Sequence, residues 1–191
     1  MIYRATQHKS VIHGFTLVET LVAITVLLLV IIGPITVAQK GIRAAYYANE
    51  QVTAVFLAQE AVEAIRELRD DAALAAYDNP GGGDTWNWIG ALPPDCTDGT
   101  GCAFDITSHA FESCALDNNC ELKVTAAGAY NYEAGGTDSG YVRRVYVTAA
   151  APDAIDVTVS VTWTSTTFGG GTPRTITLET WIYDHYARYE S

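Results

Sequence analysis

Thr20 to Gln39 is a run of 20 residues without a single Asp, Glu, Lys, Arg or His. At a rise of about 1.5 Å per residue it would cross a hydrocarbon core of roughly 30 Å as one helix. Directly in front of it stands a carboxylate, Glu19. An acidic group within a membrane helix costs about 2.5 kcal/mol or more, so it needs a partner or a depth near the interface. A secretory signal is one reading, because Arg4 and Lys9 precede the run and no acidic residue comes before Glu19. The run, however, exceeds the roughly 7–15 apolar residues of such signals, and the cut would have to follow Thr36-Val37-Ala38. A plain single-span anchor explains everything except Glu19.

The residues around that carboxylate are more specific. Gly14-Phe15-Thr16-Leu17-Val18-Glu19 resembles the processing site of the type IV pilin and type II secretion pseudopilin superfamily. In that family a short basic leader ends in glycine, the mature chain begins with phenylalanine, and its fifth residue is glutamate. The resemblance implies that a prepilin peptidase cuts between Gly14 and Phe15 and N-methylates the new amine of Phe15. It implies that Glu19 pairs with the α-amine of a neighbouring subunit's Phe15, which relieves two desolvation penalties and sets the axial stagger. The implied partners are other pilin or pseudopilin subunits, the peptidase, a pilus or secretion assembly platform, and the lipid bilayer. The implied location is the bacterial inner membrane, leader inside and C-terminal domain outside, followed by a surface or periplasmic filament. No cofactor is implied.

A length of 191 residues suits one modest domain plus a non-globular segment. We divide the chain into a leader (1–14), an apolar half-helix (15–39), an amphipathic half-helix (40–77), a Gly/Cys-rich variable loop region (78–140) and an antiparallel sheet (141–191). Loss of the leader removes Arg4 and Lys9 and moves the formal charge from −11 to −13. Such a balance argues against nucleic acid or anionic lipid being bound through bulk charge. From Lys40 to Tyr77 there is no proline, and Val55, Ala58, Val62, Ile65 and Leu68 predict an apolar stripe on one helix face. Gln51, Glu60, Glu63, Arg66 and Glu67 are expected to stay wet. A coiled coil competes with this reading but has too few heptads. Gly33-Pro34 predicts a kink or loosened turn, since proline lacks the amide hydrogen and crowds the turn before it.

Asp78-Asn79-Pro80 and Gly81-Gly82-Gly83 predict the end of the helix. Trp86 and Trp88 follow at alternate positions, as core aromatics or as a carbohydrate platform. The four cysteines form two close pairs, Cys96 with Cys102 and Cys114 with Cys120, each around turn-forming residues. An even count in a segment expected outside the cytoplasm argues for disulfides. Three pairings are open; the two local ones are preferred, crossed pairing and a four-thiolate zinc site being the rivals. The nearby Asp and Asn residues suit turns, and no EF-hand spacing for calcium is present.

From Tyr141 the period changes to two. Tyr141–Thr148, Ile155–Trp163 and Thr175–Tyr183 predict three strands, with Pro152-Asp153 and Phe168–Gly171 between them. Short connections imply an antiparallel sheet burying Ile155, Val157, Val159, Val161 and Trp163 against the helix. The fold class is therefore α+β, a layout that also resembles the pilin fold. Gly128–Tyr132, Tyr141–Val145 and Leu178–Trp181 look like a minor-pilin subgroup. Arg143 and Arg144 are expected on opposite faces of a strand. His8 and His13 fall in the leader, leaving His109 and His185, and no nucleophile–histidine set or phosphate loop accompanies them. The expectation is a non-enzymatic structural subunit, most simply a minor one. Its alternatives are the major fibre subunit or a monomeric membrane-anchored binding module or adhesin.

Overall fold

The computed structural model describes residues 14–78, 93–114, 120–132, 135–151, 154–165 and 171–183. Leader residues 1–13, Gly81–Gly83, Trp86, Trp88, Pro152-Asp153, Phe168–Gly170 and His185 lie outside them. One helix, α1, runs from Leu17 to Asp78. The chain divides into two compact units, residues 1–44 and 45–191.

In the first unit every described residue is exposed, including Leu21, Ile24, Leu28, Ile31 and Ile35. The helix nevertheless contains an 18-residue stretch with the composition of a membrane span, of mean hydropathy 2.8. Helical assignment continues without a break through Pro34.

Among the described residues of the second unit, α1 is followed by a 3-10 turn, Pro94–Cys96, and seven strands. These are β1 (Cys102–Asp105), β2 (Ala110–Ser113), β3 (Glu121–Val124), β4 (Tyr130–Asn131), β5 (Thr137–Ala151), β6 (Ala154–Ser165) and β7 (Thr172–Tyr183). Strands β5, β6 and β7 form the expected antiparallel meander, in register from Tyr141↔Trp163 through Val147↔Val157 and from Ile155↔Ile182 through Thr162↔Thr175. The stretch read as variable loops holds four more short strands. Since β6 runs along one edge of β5, β1 and β3 share the other, with β2 and β4 outside them. Two- and four-residue strands leave too little periodicity to be seen in a sequence dense with turn residues.

Period-two alternation decides the core. Ile155, Val157, Val159, Val161 and Trp163 are all buried, as are Val145 and Val147. They pack against Leu57, Ala58, Ala61, Val62, Ala64 and Ile65 of α1, with Phe104 and Leu122 closing the sides. The buried face of α1 contains most of the stripe read from the sequence, with Ala58, Val62 and Ile65 buried and Leu68 packed against the core, but it is wider than that stripe. Val55 is exposed, whereas Ala54, Leu57, Ala61 and Ala64 are buried. Small alanine side chains let the helix lie close to the sheet, which widens the contact face beyond the stripe.

Candidate assembly site

The start of α1 is built by a cap. Gly14, Phe15 and Thr16 precede the helix, whose first residue is Leu17. Thr16 Oγ1 accepts a hydrogen bond from the Glu19 N–H at 3.3 Å, and the Thr16 carbonyl accepts one from Thr20 N at 3.2 Å. Thr16 is thus the N-cap and Glu19 the third helical residue, the spacing of a capping box. The Glu19 carboxylate also lies in the first turn, where the positive end of the helix dipole favours an anion. This explains part of what a lone anchor reading left open: the charge sits in the first helical turn, not in the middle of the apolar run. The Thr16-x-x-Glu19 pattern was present in the sequence and signals the helix start.

Phe15 is 79% exposed, and a Cβ added at Gly14 would meet nothing within 4 Å. Among the described residues, nothing crowds the Gly14 end of the Gly14–Phe15 bond. Behind it, Leu17 to Val37 contains 14 Leu, Ile and Val residues. At about 0.3–0.6 kcal/mol each they favour insertion by roughly 4–8 kcal/mol, more than the roughly 2.5–3.5 kcal/mol an acidic charge costs even at a helix centre. The hydroxyls in the span are satisfied locally. Thr20, Thr25 and Thr36 donate to the carbonyls of Leu17, Val22 and Gly33 at 2.8, 2.8 and 2.7 Å. That leaves no unpaired hydroxyl proton at these positions to penalise contact with lipid.

The second unit is tied together by a residue the sequence reading had only placed on a face. Arg143 is fully buried. Its Nη1 donates to the Leu57 carbonyl and to Glu60 Oε2, each at 3.1 Å, and its Nη2 donates to the Phe104 carbonyl at 3.1 Å. Nε donates to the Tyr132 hydroxyl at 3.2 Å, and the guanidinium lies 5.5 Å from the centre of that ring. One side chain therefore joins α1, β1, β5 and the segment after β4. Burial raises the Tyr132 phenol above its usual range, with the Arg143 charge opposing the shift. Burial likewise raises Tyr141, whose hydroxyl donates to the Glu50 carbonyl at 3.2 Å. Arg144 points the other way, to the Thr100 carbonyl at 3.1 Å.

The cysteines are joined locally, Cys96 to Cys102 and Cys114 to Cys120, with Cα atoms 4.7 and 5.5 Å apart. The first bridge ties the 3-10 turn to β1, and the second ties the end of β2 to the start of β3. No thiolate is left among them for zinc. Among the described residues no group of three or more His, Cys, Asp or Glu side chains is placed to hold a metal.

Residues 9–33 match the family model of the prokaryotic N-terminal methylation motif. That interval spans Gly14, Phe15, Glu19 and Gly33. The chain thus carries the N-terminal signature of a type IV pilin-like prepilin, and the match supports a subunit of the pilin or pseudopilin type. Comparison with curated proteins and with solved structures returned no match. The α+β layout of the second unit, a helix packed on an antiparallel sheet, is that of a pilin-like domain.

Proposed function

We propose that this chain is a structural, non-catalytic subunit of a type IV pilus or related pseudopilus. It is cut between Gly14 and Phe15, N-methylated on Phe15 and polymerised through its N-terminal helix. Before assembly it is a single-pass inner-membrane protein with the second unit outside; afterwards it is part of a surface or periplasmic filament. The observation that carries this reading is the Gly14–Phe15 bond directly before a capped helix start holding Glu19. Cleavage would leave the Phe15 amine two residues before the first helical residue. Glu19 of one copy and that amine of the next are the only charges available near the start of a long uncharged surface. Pairing them removes two charges from lipid at once.

A minor subunit is the preferred role, on the likeness of Gly128–Tyr132, Tyr141–Val145 and Leu178–Trp181 to that subgroup. Intact mass and N-terminal sequencing of membrane-extracted protein test the processing step. A chain beginning with N-methylated Phe15 is expected; retention of residues 1–14, or a start after Ala38, would refute it. Abundance in sheared filaments separates the roles: a trace component is expected, and a dominant one makes this the major subunit.

A further inference from the structure

We propose, on the reading that the chain polymerises through α1, that Lys40 and Arg43 of one copy dock against Glu60 and Glu63 of the next and so fix the register between neighbouring helices. Between Phe15 and Ile65 those two are the only basic side chains, and among the described residues neither has an ion-pair partner. With the second unit outside the membrane they lie on the translocated flank of the span, where basic residues do not help to set its orientation. Exposed carboxylates are available further along the same helix. The side chains of Glu60 and Glu63 are 45% and 68% exposed. Each already meets one guanidinium, Arg143 at Glu60 Oε2 and Arg66 at Glu63 Oε1. A carboxylate has about four acceptor sites, so each keeps room for a second donor.

Spacing selects these carboxylates. Lys40 to Glu60 and Arg43 to Glu63 are both separations of 20 residues, so one shift between two parallel copies forms both pairs. The same shift sets Ile32 of one copy opposite Val52 of the other, and Thr36 opposite Phe56, with Ile35 beside them. Phe56 is 64% exposed, and Val52, Ile32 and Ile35 are exposed as well, so apolar surface meets apolar surface where charge meets charge. Glu67 and Asp70 share the three-residue spacing. The shift that reaches them, however, sets Ile32 on Gln59 and Thr36 on Glu63, and the apolar match is lost. The receiving surface is a groove of about 460 Å³ between α1 and β4, lined by Phe56, Leu57, Glu60, Glu63 and Tyr130 among others. Neither Arg66 nor Arg143 lines it, so its charged walls are carboxylates alone. An aliphatic stem that ends in a cation suits such walls, with methylenes on the rings and the charge at the acids. The two surfaces are different parts of the chain, so the contact is heterologous and propagates along a fibre. It needs only two adjoining copies, whether the chain is abundant or scarce there. Pairing opposite charges locally also offsets the repulsion between mature copies that each carry −13.

Filaments sheared from cells that make the full chain test the register. All native cysteines are bridged, so introduced thiols are the reactive ones. The double variant Arg43→Cys, Glu63→Cys, treated with a short bis-maleimide, is expected to give covalent dimers and longer ladders. Arg43→Cys with Asp71→Cys, about 12 Å further along the helix, is expected to give far fewer. Arg43→Glu should lower the share of chain recovered in filaments about fivefold or more. Adding Glu63→Arg should restore most of it, a rescue that a purely lipid-anchoring role for Arg43 would not produce. Near-UV circular dichroism of detergent-extracted protein confirms that each variant is folded; where Glu63→Arg is not, the cross-link carries the decision. With the chain present in filaments, no dimer from the first pair, equal dimer from both pairs, or no rescue in folded protein would each overturn this register and leave polymerisation standing. Absence of the wild-type chain from filaments would remove both.

Discussion

Replacing Arg143 by methionine keeps an unbranched side chain of comparable reach but removes every donor. Arg143 is fully buried and gives hydrogen bonds to two backbone carbonyls, Leu57 and Phe104, and to the side chains of Glu60 and Tyr132. Leu57 lies within α1, so its carbonyl keeps the helical ladder. The greater loss falls on Phe104 O, at about 1–3 kcal/mol for a buried group left unmatched, whereas the Tyr132 hydroxyl loses its donor but still donates to the carbonyl of residue 143 at 3.3 Å. Glu60 is 45% exposed and can turn to water, so its stranded charge adds little. The expected cost is about 2–4 kcal/mol. For a chain of this size that lowers the thermal midpoint by roughly 10 °C, at about 2–4 °C per kcal/mol. Thermal unfolding of the detergent-solubilised full chain, followed by near-UV circular dichroism, measures it. Glu60→Gln should cost no more than about 1 kcal/mol in the same assay. The reasoning fails if Arg143→Met stays within about 1 kcal/mol of the parent, or if the two variants are equally destabilised.

Other expectations follow from the same geometry. Glu19→Ala should still insert and be cut after Gly14, since the apolar run is intact, yet be missing from sheared filaments; its normal recovery there would remove the role assigned to the carboxylate. Gly101 has a φ of +83°, and a Cβ there would lie 2.8 Å from the Tyr146 ring. Gly101→Ala should therefore cost about 1–3 kcal/mol in denaturant unfolding. Each disulfide closes a short loop, so replacing either cysteine pair by serine should cost roughly 2–3 kcal/mol, compared by urea midpoints under non-reducing conditions. Tyr132 and Tyr141 both titrate above their ordinary value of 10.0. A raised phenol keeps its full stabilisation below the unfolded-state value and loses it as pH rises past that value. Stability should thus fall above about pH 10, and a Tyr132→Phe, Tyr141→Phe double variant should fall less steeply in a pH series of melts.

The sequence by itself determined the ends of the chain. An uncharged run with one carboxylate at its entrance has few physical solutions, and Gly14, Phe15 and Glu19 could be read without any fold. The long strands were equally legible, because Ile155 to Trp163 alternates with a period of two and one face must be buried. Tertiary structure decided what lies between. The strands from Cys102 to Asn131 exist only because neighbouring strands supply their hydrogen bonds, which no local pattern announces. The stripe of α1 at Ala58, Val62 and Ile65 was legible, but its widening to Ala54, Ala61 and Ala64 depends on how closely the sheet can approach. Arg143 could be placed only on the opposite strand face from Arg144; its four partners come from distant parts of the chain, and only folding brings them within hydrogen-bond reach of a single guanidinium.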